Sequence, residues 1–441
     1  MRGFAFRPVL LTVALALALG GCGLFEKKKK EPLPGERIPV MLLEKKLEPD
    51  PRIADLAVRL PPPEVNPTWP QTGGYADHAM HHLSVADVPK KAWSIQIGEG
   101  SSDERRLLAQ PIVAEGKVFT MDTENHVTAY ETGTGKRLWR IIVVPEEAEE
   151  DAFGGGMAYD AGRVYVATGA AEALALNAQT GDIIWRQSVT APVRSGPTVS
   201  ASRVFAVSVD NQLHALDARD GAKLWSNAGI AEVAALLGGS SPAVEGSIVV
   251  APYTSGELVA LRIDNGRQSW TDTLTAVRRA DAVSALADIR GLPVIDRGRV
   301  YAISNSGRMA AIDIRSGSRI WDIAVPSVQT PWIAGEFVFV LTTQDEIACI
   351  SRRDGRIRWV MQLPTWADEK KQEGKVFWVG PVLASDRLIV AGSHGKILTV
   401  SPYDGKILGQ VDVDEPVRIP PIVAEGVLYV LTDEGNLIAF K

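Results

Sequence analysis

From about residue 90 onward, short apolar runs alternate with polar punctuation, and no long stretch carries helical spacing. Each unit opens with a short apolar strand, led by Pro in most copies. A turn follows, then a second strand of the Val-Tyr-Val type and a third strand. The openings are Pro111-Ile112-Val113, Gly156-Met157-Ala158, Pro197-Thr198-Val199, Pro242-Ala243-Val244, Pro293-Val294-Ile295, Pro331-Trp332-Ile333, Pro381-Val382-Leu383 and Pro421-Ile422-Val423. Second strands such as Val164-Tyr165-Val166 and Leu428-Tyr429-Val430 are apolar on both faces, as strands covered by neighbouring sheets must be. Self-similarity at a period of about 40–50 residues with strand patterning predicts a propeller.

Every unit but the last ends with one turn, seen in Leu216-Asp217-Ala218-Arg219-Asp220-Gly221-Ala222-Lys223-Leu224-Trp225. Gly supplies the positive φ of a tight reversal, and the polar residue before it holds the local backbone. Trp stands four residues later at Trp139, Trp185, Trp225, Trp270, Trp321 and Trp359; the copy at Asp404-Gly405 carries Leu408 instead. These Trp side chains read as packing between sheets. The alternative is stacking on a quinone cofactor. The eighth unit stops at Lys441 after its third strand, whereas Trp93 lies on a strand with no unit before it. The fold predicted is therefore all-β: an eight-bladed propeller of four-stranded antiparallel blades, closed by the N-terminal strand completing the last blade.

The other end of the chain reads differently. Arg2 and Arg7 precede an apolar run from Pro8 to Leu19 that is too short for an ordinary membrane span, so residues 1–21 read as a signal peptide. Leu19-Gly20-Gly21-Cys22 resembles a bacterial lipobox, in which Cys22 becomes the lipidated first residue; a plain secretory signal is the alternative. Gly23 after the Cys resembles the outer-membrane sorting signal of such lipoproteins. Residues 22–65 read as the lipidated Cys and an extended linker, rich in Pro and with a Lys27–Lys30 run, 66–90 as an N-terminal arm, and 91–441 as the propeller. His78, His81 and His82 invite a metal reading, but no carboxylate or Cys stands at ligand spacing, so no metal is expected and the arm reads as a strap on the propeller. Cys349, in an apolar run, reads as a buried thiol.

A net charge of −6 and the absence of a basic stripe argue against nucleic acid. Gly154-Gly155-Gly156 lacks the Lys-Ser/Thr of a phosphate loop. Three connections exceed ordinary turns: 144–155 with its acidic run, 273–292, and the charged 366–375.

The lipobox, the Gly-turn/Trp repeats and the eight units together resemble the BamB family, the lipoprotein propellers of the outer-membrane β-barrel assembly machinery within the quinoprotein-like superfamily. The stretches 66–83 and 278–295 look like the versions found where the arm is long. The resemblance implies a non-enzymatic scaffold without cofactor, lipid-anchored on the periplasmic face of the outer membrane. It implies binding to the POTRA domains of BamA and association with the other Bam subunits and nascent outer-membrane proteins. It places the contact surface at Leu236 and Leu237, the latter where well-known members have Arg, and at a charged loop with Arg279, Asp281, Asp288 and Arg290. Two alternatives stay open: a lipoprotein propeller scaffolding another envelope complex, and a quinone-dependent dehydrogenase, which would normally carry a vicinal Cys pair that is absent here.

Overall fold

The computed structural model describes residues 47–87, 89–145, 152–275 and 286–441. Eight four-stranded antiparallel sheets follow one another around an axis. Blade 1 comprises Ile112–Ala114, Lys117–Met121, His126–Glu131 and Arg137–Ile142, and blades 2 to 7 repeat that order up to Ile407–Asp412. Blade 8 takes three strands from the C-terminus and its fourth, Lys91–Gln96, from the N-terminal side, with Trp93 opposite Ala439. Lys90 and Lys441 exchange backbone hydrogen bonds of 2.7 and 2.9 Å at the join. Burial follows the pattern: in blade 1 the first strand is wholly buried, the middle strands nearly so, and the fourth alternates exposed and half-buried. The core lies in the layers between blades.

The repeated Trp explains the repeated Gly. The Trp185 ring of blade 2 lies over Gly221 of blade 3, where a Cβ would stand 2.6 Å from Cε3. Its indole N–H donates to the carbonyl of Ala218 at 3.1 Å. The same latch joins Trp93 to Gly135, Trp139 to Gly181, Trp225 to Gly266, Trp270 to Gly317, Trp321 to Gly355 and Trp359 to Gly405. So Gly is required twice, for φ +76 at Gly221 and for the ring above it. Leu408 falls at the joint where the next blade has no such turn, because blade 8 has its chain break there.

The arm is a strap. Its backbone or side chains bond to every blade in cyclic order, starting from blade 8. Asn66 O accepts from Glu425, Trp69 pairs with Val113, Pro70 O accepts from Tyr159, and Ala76 and Asp77 carbonyls accept from Val244 and Ile295. The Gln71 side chain bonds both backbone groups of Val199, Trp332 donates to His81 O, and Leu83 pairs beside Leu383 and Ser385. The strap thus crosses the end of the axial channel where first strands finish, and Trp69 plugs it, 1% exposed and stacked on Trp332 at 6.4 Å. His78 donates from Nδ1 to Pro293 O at 2.7 Å, and His82 bridges Pro61 O and the Asp386 N–H, so both rings serve the strap.

Two expectations change in detail. Residues 47–65, expected within the extended linker, are extended apart from a 3-10 turn at Pro51–Ile53, and they are docked on blade 6. Asp50 accepts from Arg52 and its N–H bonds Ile357 O, Leu56 O accepts from Arg358, and Val58 is buried. The charged connection 366–375 is a hairpin, Trp366–Asp368 with Glu373–Lys375, whose turn is held by the Asp368 carboxylate accepting from the N–H groups of Lys370 and Lys371. Cys349 is buried and unpaired, and burial pushes its thiol well up from the usual range.

Candidate functional site

The face opposite the strap carries the connections between blades, and one of them makes a groove. The connection from blade 3 to blade 4, residues 229–242, rises over the second-to-third-strand turns of both blades. With Val207, Val209, Pro252, Thr254 and Ile289 it encloses a groove of about 420 Å³. Its apolar side chains face solvent: Val233 is fully exposed, Leu237 43% exposed, Leu236 half-buried, and Val209 and Ile230 are exposed nearby. Leu236 and Leu237 are therefore not core, and a cluster of this kind on a rigid scaffold marks a contact surface.

Buried polar groups hold the loop. Asp288, 4% exposed, accepts the N–H of Leu236 at 2.9 Å. Ser240 Oγ donates to Gly291 O, and Asn211 donates to Ile230 O at 2.6 Å while accepting from Thr254. Asn211 went unnoticed in the sequence; the signal is its recurrence, since Asn125 and Asn305 hold the connections of other blades through Ala152 O and Leu286 O. Asp288 is thus a support under the groove and no part of a charged rim, because the turn that brings it near Leu236 also buries it.

Burial pushes the Asp288 carboxyl up to about 6, against the lowering effect of the Leu236 N–H and Arg290. The unfolded value is about 3.9, so the folded chain holds this proton more tightly, and the resulting stability is present below about pH 4 and lost as pH rises towards 6. Asp288→Asn keeps the acceptor for Leu236 without the charge. It is expected to be neutral at pH 4 and to gain up to about 3 kcal/mol at pH 8, as read by urea unfolding at both values.

Arg290 points elsewhere. Its guanidinium lines a second cavity, of about 150 Å³ on the propeller axis, floored by Trp69, Thr72, Gly73 and His78 of the strap. Gly238, at φ +105, leaves room for it: a Cβ there would lie 3.0 Å from Nε. Among the described residues, no group of three or more His, Cys, Asp or Glu is placed to hold a metal.

With this geometry in hand, the comparisons decide the family. The family model described as outer membrane protein assembly factor BamB matches residues 123–361 and 365–441, most of the propeller. The chain belongs to the BamB family. It is 27% identical over 358 residues to the outer membrane protein assembly factor BamB of Yersinia pestis, covering 80% of this chain and 88% of that one. The Escherichia coli BamB is 25% identical, with 79% and 88% covered. Among solved structures, BamB from Moraxella catarrhalis superposes with a TM-score of 0.67 at 17% identity, covering 80% of this chain and 100% of that one. A quinohemoprotein alcohol dehydrogenase from Comamonas testosteroni scores 0.64 at 13% identity, with 85% and 80% covered, so the fold is shared with enzymes. Of the residues that the BamB resemblance singles out, Leu236, Leu237 and Asp288 meet at the groove, Arg290 lies behind it on the axis, and Cys22, Arg279 and Asp281 fall outside the described residues.

Proposed function

We propose that this BamB-family chain is a scaffold of the outer-membrane protein assembly machinery, anchored to the outer membrane through Cys22 and facing the periplasm. Its partner is the POTRA region of BamA, alongside the other Bam subunits and nascent barrel proteins, and it performs no catalysis. The supporting observation is the groove: Val233, Leu236 and Leu237 are displayed on a loop pinned by Asp288, Ser240 and Asn211. An apolar anchor on a pre-ordered loop loses little entropy on binding. Seven Trp side chains are committed to joints between blades, which removes the main sequence signal for the quinone reading.

The test is binding of residues 46–441 to the POTRA segment of the same organism's BamA. Leu237→Asp is expected to weaken it about tenfold or more, the loss of a central apolar anchor. Equal affinity for wild type and Leu237→Asp moves the surface elsewhere; no binding by wild type returns the chain to the role of scaffold in another envelope complex.

A further inference from the structure

The axial cavity has a chemistry of its own. Its described lining includes two arginines, Arg290 and Arg418, and no Asp or Glu. Arg418 sits at the rim, paired with Asp433 at 2.7 Å and stacked over Phe377 at 5.2 Å. Arg290 is half-buried, with no hydrogen bond and no carboxylate within ion-pair distance among the described residues; desolvation disfavours its charge and the nearby Asp288 carboxylate offsets part of that. A half-buried guanidinium that makes no ion pair of its own is a ready partner for an anion from outside. Asp288 serves as counter-ion only at a distance, since its carboxylate accepts from the Leu236 N–H and makes no ion pair with Arg290.

The surroundings describe the missing anion. Gln329 uses its carbonyl oxygen on the Gly380 N–H, and its amide N–H₂ has no described acceptor. The Thr330 hydroxyl accepts from the Leu292 N–H and keeps its own proton to donate. Below them Leu107, Leu292, Ile419 and the stacked Trp69 and Trp332 form an apolar wall, and the Thr72 hydroxyl and His78 Nε2 at the floor are buried without a partner among the described residues. A space of this size is that of about one benzene ring.

We propose that the axial cavity binds a small organic carboxylate, its oxygens on Arg290 and its apolar body against the Trp69–Trp332 pair. A guanidinium presents two parallel N–H groups to a carboxylate, and removing such a charge-assisted pair costs about tenfold or more in affinity. The site adjoins the groove at Gly239, but each reading has its own measurement, benzoate binding for the cavity and POTRA binding for the groove.

Benzoate is the probe, titrated into the purified full chain and followed by tryptophan fluorescence and thermal unfolding. Saturable binding with a Kd of about 1 mM or tighter is expected, with a rise in Tm. Arg290→Met should lose binding about tenfold or more and, in the absence of benzoate, should unfold close to the wild-type temperature, because the side chain makes no hydrogen bond or ion pair. Arg290→Lys should bind more weakly than wild type yet better than Arg290→Met. No saturation by about 20 mM, undiminished binding by Arg290→Met, or phosphate binding as tightly as benzoate would each overturn the proposal.

Discussion

A chain that begins at Pro89 is expected to lose cooperative unfolding, even though all eight blades are intact in its sequence. Such a chain lacks Val58, Trp69, Met80, Leu83 and Val85, all buried against the ring. Each buried side chain of this kind contributes about 1.5–3 kcal/mol, and the strap's hydrogen bonds to the first strands add about 1 kcal/mol each. The total is comparable to the entire stability of an ordinary domain, about 5–15 kcal/mol. Near-UV circular dichroism and urea unfolding of the truncated chain check this: a sharp transition with native near-UV signal would show that the ring stands without its strap. Trp69→Ala isolates the plug and should cost about 3–5 kcal/mol.

Trp185→Ala should likewise cost about 3–5 kcal/mol, because the ring fills the joint between blades 2 and 3 and donates to Ala218 O. Gly221→Ala should be harmful for a different reason, a Cβ driven into the Trp185 ring at a positive φ. If the latch is real the two are coupled. The double variant should be less destabilised than the two single losses added together, by about 1 kcal/mol or more, since removing the ring makes room for the methyl group. Strict additivity in urea unfolding would mean that Gly221 serves its turn alone.

Much of this fold was legible because it is made of local rules repeated. Short apolar strands, a Gly turn before the fourth strand and a Trp at fixed spacing give the blade, and the unmatched Trp93 strand with the truncated last unit gives the closure. Leu408, read only as an exception, turns out to mark the joint beside that closure. The strap was legible as an arm but not as a belt, since at all blades but one, where the Trp332 indole donates, its bonds go to backbone groups, which leave no residue signature. The site was legible only in part. Leu236 and Leu237 read alike in the sequence as contact residues, and Asp288 and Arg290 as one charged loop. Two residues apart on an extended segment, these last two diverge: one runs beneath the groove, the other into the axis. Only three-dimensional packing separates them.

The join of Lys91–Gln96 to Asn436–Phe440 also sets an order of events. These strands are about as far apart in sequence as the chain allows, and pairing across such a separation is slow because the intervening loop must first be closed. Blades 1 to 7 are each local and free to form as they emerge, whereas the ring waits for the strand Asn436–Phe440. Until then an unpaired strand edge stands open at each end of the array, the state in which a propeller is most exposed to a wrong neighbour. The pairing of Lys91–Gln96 with Asn436–Phe440 therefore governs how long the chain spends at risk.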